Sequence, residues 1–238
     1  MVPGDCSCYS ATPFGRKYHG GGEYLPRHCH REAFAAVVLS GTYMEAGDRG
    51  RVRVRAGDVV LHGPYESHLN CFAAGGAEVL VLPCADTGAH GGIARIADPD
   101  AVAHLAERDL AQATRYLRAH LRPAEALEED WPDRLARQLR ADPDLVIHEW
   151  AEQIGLLPES VSRGFRRVYG LAPVTFRARM RALRALALLD CSRSLADIAA
   201  SCGFADQAHL SRSIRQLTGH SPKAWRSSAL PRLAEHAH

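Results

Sequence analysis

The sequence contains no apolar run approaching the roughly 20 residues that would span a bilayer, so no membrane partner is expected. Its first residues, Met1-Val2-Pro3-Gly4-Asp5-Cys6, carry neither a basic segment nor an apolar one, and no signal peptide is read. The seven cysteines are odd in number and scattered without a framework spacing. That excludes a disulfide scaffold, and the simplest expectation is reduced thiols in the cytoplasm. Cys6 and Cys8 with Cys29 or Cys71 show no recognisable ligand spacing. No nucleophile–base constellation stands out, so no catalytic residue is assigned and no enzyme is expected. What is present is ordinary globular material, 46% hydrophobic and 24% charged over 238 residues, enough for one large core or two small ones.

The net charge of +2 conceals an asymmetry. Residues 1–130 hold 13 Lys+Arg against 17 Asp+Glu, whereas residues 131–238 hold 16 against 10. Fifteen of those 16 cations are arginine, the side chain that grips phosphates and guanine edges bidentately. A basic end joined to an acidic one points to nucleic acid at one end and a different task at the other.

The hydrophobic pattern changes at the same boundary. Ala35–Leu39, the alternating Arg51-Val52-Arg53-Val54-Arg55, Val59–Leu61 and Glu78–Leu82 are short strand-like runs punctuated by Gly and Asp, the pattern of a small antiparallel barrel or sandwich. A Gly- and Ala-rich loop over Cys84–Asp98 should end the strands. From Pro99 the apolar positions recur at three- and four-residue steps to Leu121, which predicts one helix of more than five turns, stopped by Pro123. Beyond it the pattern is helical, with breaks at Pro132, Asp142-Pro143, Gly155, Gly170, Cys191–Ser194, Gly203 and Gly219. The expected class is therefore α+β multidomain: residues 1–98 a β module, 99–130 a helical connector, 131–238 an all-α module.

One pattern occurs twice in the all-α part. Trp150-Ala151-Glu152-Gln153-Ile154-Gly155 leads into Pro158–Arg167 and ends at Gly170, while Ile198-Ala199-Ala200-Ser201-Cys202-Gly203 leads into Asp206–Gln216 and ends at Gly219. A short helix with a small Ala, a Gly turn and a second helix is a helix-turn-helix layout. Between the copies, residues 174–189 predict a helix of about 24 Å, stiff enough to hold two recognition helices for major grooves about 34 Å apart.

Gly203-Phe204-Ala205-Asp206-Gln207-Ala208-His209-Leu210-Ser211-Arg212, followed by Gly219-His220-Ser221-Pro222-Lys223-Ala224-Trp225-Arg226, resembles the DNA-binding domain of the AraC/XylS family of bacterial transcription regulators. The resemblance runs from about Asp142 to Arg226. It implies base reading by Glu159, Ser162 and Arg163 in the first unit and by Gln207, Ala208, Ser211 and Arg212 in the second, with Arg166, Arg167 and Arg215 on phosphates. Three departures fall in the first unit. Val146 and Leu157 stand where a hydroxyl would cap a helix, at a cost of about 1 kcal/mol each. Gly164 lies inside the recognition helix, at roughly another 1 kcal/mol. The second unit keeps Ser194 three residues before Asp197, a capping-box spacing, and should supply most of the base specificity.

In the β module, His28-Cys29-His30 followed by Phe34 and Gly41 resembles the first cupin motif, and Gly57-Asp58 with His68 the second. This resemblance implies a cupin-like barrel with an effector pocket at His28, His30, Phe34 and His68. It also implies a possible divalent transition metal (Zn, Fe, Ni or Cu) on His28, His30 and His68, although none is required. The motif's usual Glu is replaced here by Phe34, and nothing puts Glu32 or Glu66 on the inner face. The expected function is thus a DNA-binding regulator that answers a small-molecule effector. Its partners would be promoter duplex DNA, a second copy of the chain paired through the 99–121 helix, and RNA polymerase if it activates. The alternative is a metal-dependent cupin enzyme with a helical accessory domain, which would need a complete metal set.

Overall fold

The computed structural model describes residues 12, 14–84, 92–124, 130–142 and 144–227. They divide into two compact units, with the boundary between residues 128 and 129. An antiparallel sheet unit comes first and a helical unit second, as the change of periodicity indicated.

The N-terminal unit holds β1 (Gly15–His19), β2 (Tyr24–Cys29), β3 (Phe34–Gly47), β4 (Gly50–Arg55), β5 (Asp58–His62), β6 (Ser67–Pro83), β7 (Ile93–Arg95) and β8 (Arg122–Pro123), with α1 (Pro99–Ala106) and α2 (Leu110–His120) between the last two strands. Hydrogen bonding joins them in the order β1-β6-β3-β5-β7-β8, with β2 added on β6 and β4 on β3, all antiparallel. The long strands β3 and β6 dominate. Their register shifts between Val38 and Ser40 and again between Gly41 and Tyr43, where Gly41 adopts a φ of 76°. Such irregularities raise the local twist and bend the ribbon.

Period-two alternation then sorts the side chains. Ala35, Val37, Val59, Leu61, Leu80 and Leu82 share one core with Val102, Ala103, Ala113 and Leu117 of the two helices. Phe34, Ala36, Val38, Val60, Val79 and Val81 face a second core, closed by Tyr43, Val54 and Phe72 from the far halves of the strands. Both faces are therefore buried.

Four expectations are corrected. The single helix read from Pro99 to Leu121 is two, because Asp109 leaves the helical conformation (φ −155°) and its carboxylate accepts from the N–H groups of Ala111 (2.8 Å) and Gln112 (3.2 Å). An N-cap is a better use of Asp109 than a mid-helix position. The apolar stripe survives the break, but it packs on the chain's own sheet. Within the loop predicted over 84–98, Ile93–Arg95 pairs with β5. Pro132 opens a helix instead of breaking one, since the first turn has no use for its missing N–H. The cysteines are also not uniformly reduced: Cys71, Cys84, Cys191 and Cys202 keep their thiols, whereas Cys29 is disulfide-bonded. Cys6 and Cys8 lie outside the described residues.

The helical unit comprises α3 (Trp131–Ala141), α4 (Ile147–Gln153), α5 (Pro158–Tyr169), α6 (Pro173–Leu188), α7 (Leu195–Ser201), α8 (Gln207–Thr218) and α9 (Pro222–Ser227). Helix α6 is the spine and contacts α3, α5, α7 and α8. Phe165, Tyr169 and Phe176 interlock at its N-terminal end with ring centroids 4.6–5.5 Å apart. The buried Tyr169 hydroxyl donates to Asp133 of α3 at 2.8 Å. Along α6, Arg177 donates to the Leu145 carbonyl (2.7 Å) and Arg181 pairs with Asp144 (3.3 Å). These contacts tie the segment before α4 to the spine.

Candidate nucleic-acid interface and histidine pocket

The two helix pairs, α4–α5 and α7–α8, are built alike. Ala151 and Ala199 are buried where the first helix of each pair meets its neighbours. In each pair the turn is closed by a long return bond, Leu156 N–H to Ala151 C=O and Phe204 N–H to Ala199 C=O, both 2.9 Å. The intervening Gly155 and Gly203 sit at φ 69° and 72°, a region in which only glycine is unstrained. Each second helix also ends on a left-handed glycine, Gly170 and Gly219. The sequence repeat is thus a repeat of hydrogen bonds.

In α5, Val161, Phe165 and Tyr169 turn inward, and in α8 Leu210, Ile214 and Leu217 do the same. Helical spacing then sends the residues between them outward. Glu159, Arg163, Arg166 and Arg167 on α5 are exposed, as are Gln207, Ala208, Arg212 and Arg215 on α8, while Ser162 and Ser211 are half-buried at the edge of each face. Arg163 and Arg212 occupy equivalent positions in the two helices. Arg166, Arg167 and Arg215 fall in the last turns, where a cation also complements the helix dipole.

The caps follow the asymmetry seen in the sequence. Val146 and Leu157 make no side-chain cap bond, and Leu157 is 71% exposed at the entrance to α5. In the second pair the Ser194 hydroxyl accepts from the Asp197 N–H (3.1 Å) and donates to its carboxylate (2.6 Å). Asp206 accepts from the His209 N–H. Gly164, an unexplained weakness in the sequence, acquires a reason. A β-carbon there would lie 2.5 and 2.7 Å from ring atoms of Trp131, so the indole occupies the space that a side chain would need.

The sheet unit brings His28, His30 and His68 together with one ligand atom of each within 4.8 Å of the others. Strand register explains it, since His28 pairs directly with His68 across β2 and β6. The ladder is pinned by a buried ion pair of Arg27 with Asp48, while Arg27 also donates to the Ser67 hydroxyl at 2.8 Å and Asp48 accepts from the Ser67 N–H at 2.8 Å. Arg27 and Ser67 are the chain neighbours of His28 and His68. His30 is held by its carbonyl, which accepts from the Tyr65 N–H at 2.7 Å. Tyr65 is fully buried at a φ of 62°, a conformation that costs a non-glycine residue about 1–3 kcal/mol and persists where surroundings dictate it.

Burial, followed by the neighbouring His62, His28 and His30, holds the His68 imidazole well below its ordinary pKa, and burial also lowers that of His28. His28 and His68 are thus held toward the neutral imidazole. His28 Nδ1 lies 2.8 Å from the Pro26 carbonyl, a contact that requires a proton on Nδ1 and leaves the Nε2 lone pair free to ligate. His68 Nδ1 is buried without a hydrogen-bond partner among the described residues. Three converging imidazoles, one with an unused buried nitrogen, fit a divalent transition metal by donor chemistry.

Sequence reasoning missed four residues here. Phe34 stacks on His62 at 4.3 Å, and His62 lies 4.3 Å from His68 between ring centroids. Behind His62, Glu45 is buried 3.5 Å from its Nε2 and accepts from the Asn70 amide at 3.1 Å. Gly47 faces the same space. Glu66, by contrast, is engaged by Arg49 and the Gly63 N–H, and Glu32 is exposed.

Residues 150–228 match the family described as a helix-turn-helix domain. Over 88 residues, 37% of this chain, the sequence is 32% identical to the arabinose operon regulatory protein of Escherichia coli (strain K12), of which the match spans 30%. Among solved structures, similarity extends over 42% of this chain to the DNA-binding domain of AdpA in complex with a target DNA (27% identity, 92% of that chain, TM-score 0.38). It extends over 90% of this chain to ToxT from Vibrio cholerae (8% identity, 98% of that chain, TM-score 0.41). The first of these relatives is named as an operon regulatory protein and AdpA as a global transcriptional factor. The N-terminal unit lies outside the family match. The doubled turn geometry and the family match agree that residues 150–228 form a helix-turn-helix domain, similar over this part of the chain to the arabinose operon regulatory protein, of whose length the chain spans about a third.

Proposed function

We propose that the chain is a sequence-specific DNA-binding transcription regulator, with α5 and α8 as recognition helices and the sheet unit as the sensor of a small-molecule effector. One observation carries the reading: two helix pairs with the same turn bonds expose arginine at the same helical position, Arg163 and Arg212. Glu159, Ser162, Gln207, Ala208 and Ser211 line the same two faces and read base edges with them, and Arg166, Arg167 and Arg215 hold phosphates.

The sensor pocket is bounded by His28, His30, Phe34 and His68, within a cupin-like sheet unit. The same three histidines are the ligands of a divalent transition metal, which the DNA-reading unit does not itself require. An effector acts only if it binds two arrangements of the protein with different affinity. The 99–121 stripe is engaged on its own sheet, so the expected homodimer must use another surface. Sedimentation at micromolar concentration is its test, and a monomer mass removes it.

Selection of DNA from a random pool by the purified chain, followed by titration at several salt concentrations, tests the function. The expected result is an enriched motif bound at nanomolar Kd, with log K falling steeply as log salt rises. Salt-insensitive binding without an enriched motif refutes the assignment.

A further inference from the structure

We propose that Glu45 supplies the negative charge that the first cupin-like motif lacks at residue 34, reaching the histidine pocket from another position on β3 and acting through His62. The inference rests on the reading that His28, His30 and His68 bind a divalent metal ion.

Three neutral imidazoles leave a divalent ion with its full charge in a site walled by Phe34. A buried cation without compensating charge is disfavoured, and metal sites commonly recruit a carboxylate behind a histidine to provide it. Residue 34 does not meet the need, since its ring lies edge-on to His30 at 5.0 Å and stacks on His62. Glu45 does. It is only 4% exposed, and its carboxylate lies 3.5 Å from His62 Nε2.

Register explains how the charge arrives. Glu45 pairs with Asn70 and Gly47 with His68 on alternate rungs of the β3–β6 ladder, separated by the Ala46–Leu69 pair, and residues two apart on a strand share a face. Glu45, Gly47, His68 and Asn70 therefore look into one space. The position between Glu45 and His68 is a glycine. A β-carbon at Gly47 would sit 3.5 Å from the His68 Cβ and 3.7 Å from a Glu45 carboxylate oxygen. These are ordinary van der Waals contacts, so no bulky side chain of β3 stands between the Glu45 carboxylate and His68. Glu45 is further fixed by the Asn70 amide at 3.1 Å, which leaves its other oxygen for His62. His62 in turn lies 4.3 Å from His68 between centroids. Glu45 and His62 are thus positioning residues behind the three ligands.

Zinc binding to the full-length chain tests this by equilibrium dialysis, with cobalt absorption reporting coordination. The wild type is expected to take up one ion per chain and His68→Ala none. Glu45→Gln and His62→Gln should each keep the one-to-one stoichiometry but weaken affinity 10- to 100-fold and shift the cobalt d–d bands. Far-UV circular dichroism checks folding, and if one variant is unfolded the other carries the test. Wild-type binding that His68→Ala abolishes, with Glu45→Gln and His62→Gln as tight as wild type, overturns the role of Glu45 alone. No zinc uptake by the wild type overturns the metal reading and this inference with it, while DNA binding measured on the same protein judges the regulator assignment separately.

Discussion

Replacing Gly164 by alanine should not stabilise α5, although helix propensity says it should. In an open helix the change would gain about 1 kcal/mol. Here the added methyl would approach Cζ2 and Cη2 of Trp131 at 2.5 and 2.7 Å, below any real carbon contact, so the indole must move. Overpacking of this kind costs about 1–3 kcal/mol, which leaves the variant between neutral and about 2 kcal/mol less stable. Trp131→Ala removes the obstacle, and Gly164→Ala made in that background should then recover its gain of about 1 kcal/mol. The assay is urea unfolding followed by tryptophan fluorescence. All three tryptophans, Trp131, Trp150 and Trp225, lie in the helical unit, so the signal reports that unit, and two of them remain after Trp131→Ala. A gain from Gly164→Ala that is the same with and without Trp131 would refute the steric account.

The caps give opposite predictions in the two pairs, read by the same fluorescence. Leu157→Ser should raise stability by about 1 kcal/mol by supplying the missing cap, and Ser194→Ala should lower it by about the same amount. Arg166→Ala should weaken DNA binding evenly across sequences and reduce the salt slope by about 1, as loss of a phosphate contact requires. A change in the preferred motif would instead make Arg166 a base reader. Footprinting of Arg163→Ala and Arg212→Ala should show the greater loss of sequence preference from the second, because α7 and α8 are the capped pair. A greater loss from the first would reverse that ranking.

The parts of this structure that were legible in the sequence are those set by neighbours in the chain. Helical ends at Gly155, Gly170, Gly203 and Gly219 follow from residues that alone tolerate a left-handed cap, and the Ser194–Asp197 box is local by construction. The exposed faces of α5 and α8 follow from three- and four-residue periodicity. What could not be read is what pairing creates. Neither His62 nor Glu45 belongs to a spacing that signals a pocket, and they enter it only because β3 runs between β5 and β6. Likewise Gly164 looked like a defect until Trp131, 33 positions earlier in the chain, was found to fill its place. The split at Asp109 was locally legible as an N-cap but was overridden by an apolar stripe that continues across it.

The claim on which the rest depends is that α5 and α8 enter successive major grooves of one duplex. Hydroxyl-radical footprinting on the selected site tests it most directly. Two protected segments about 10 base pairs apart on one face are predicted, with Arg163→Ala weakening one and Arg212→Ala the other. A single protected segment, or two that respond alike to both substitutions, would contradict the account.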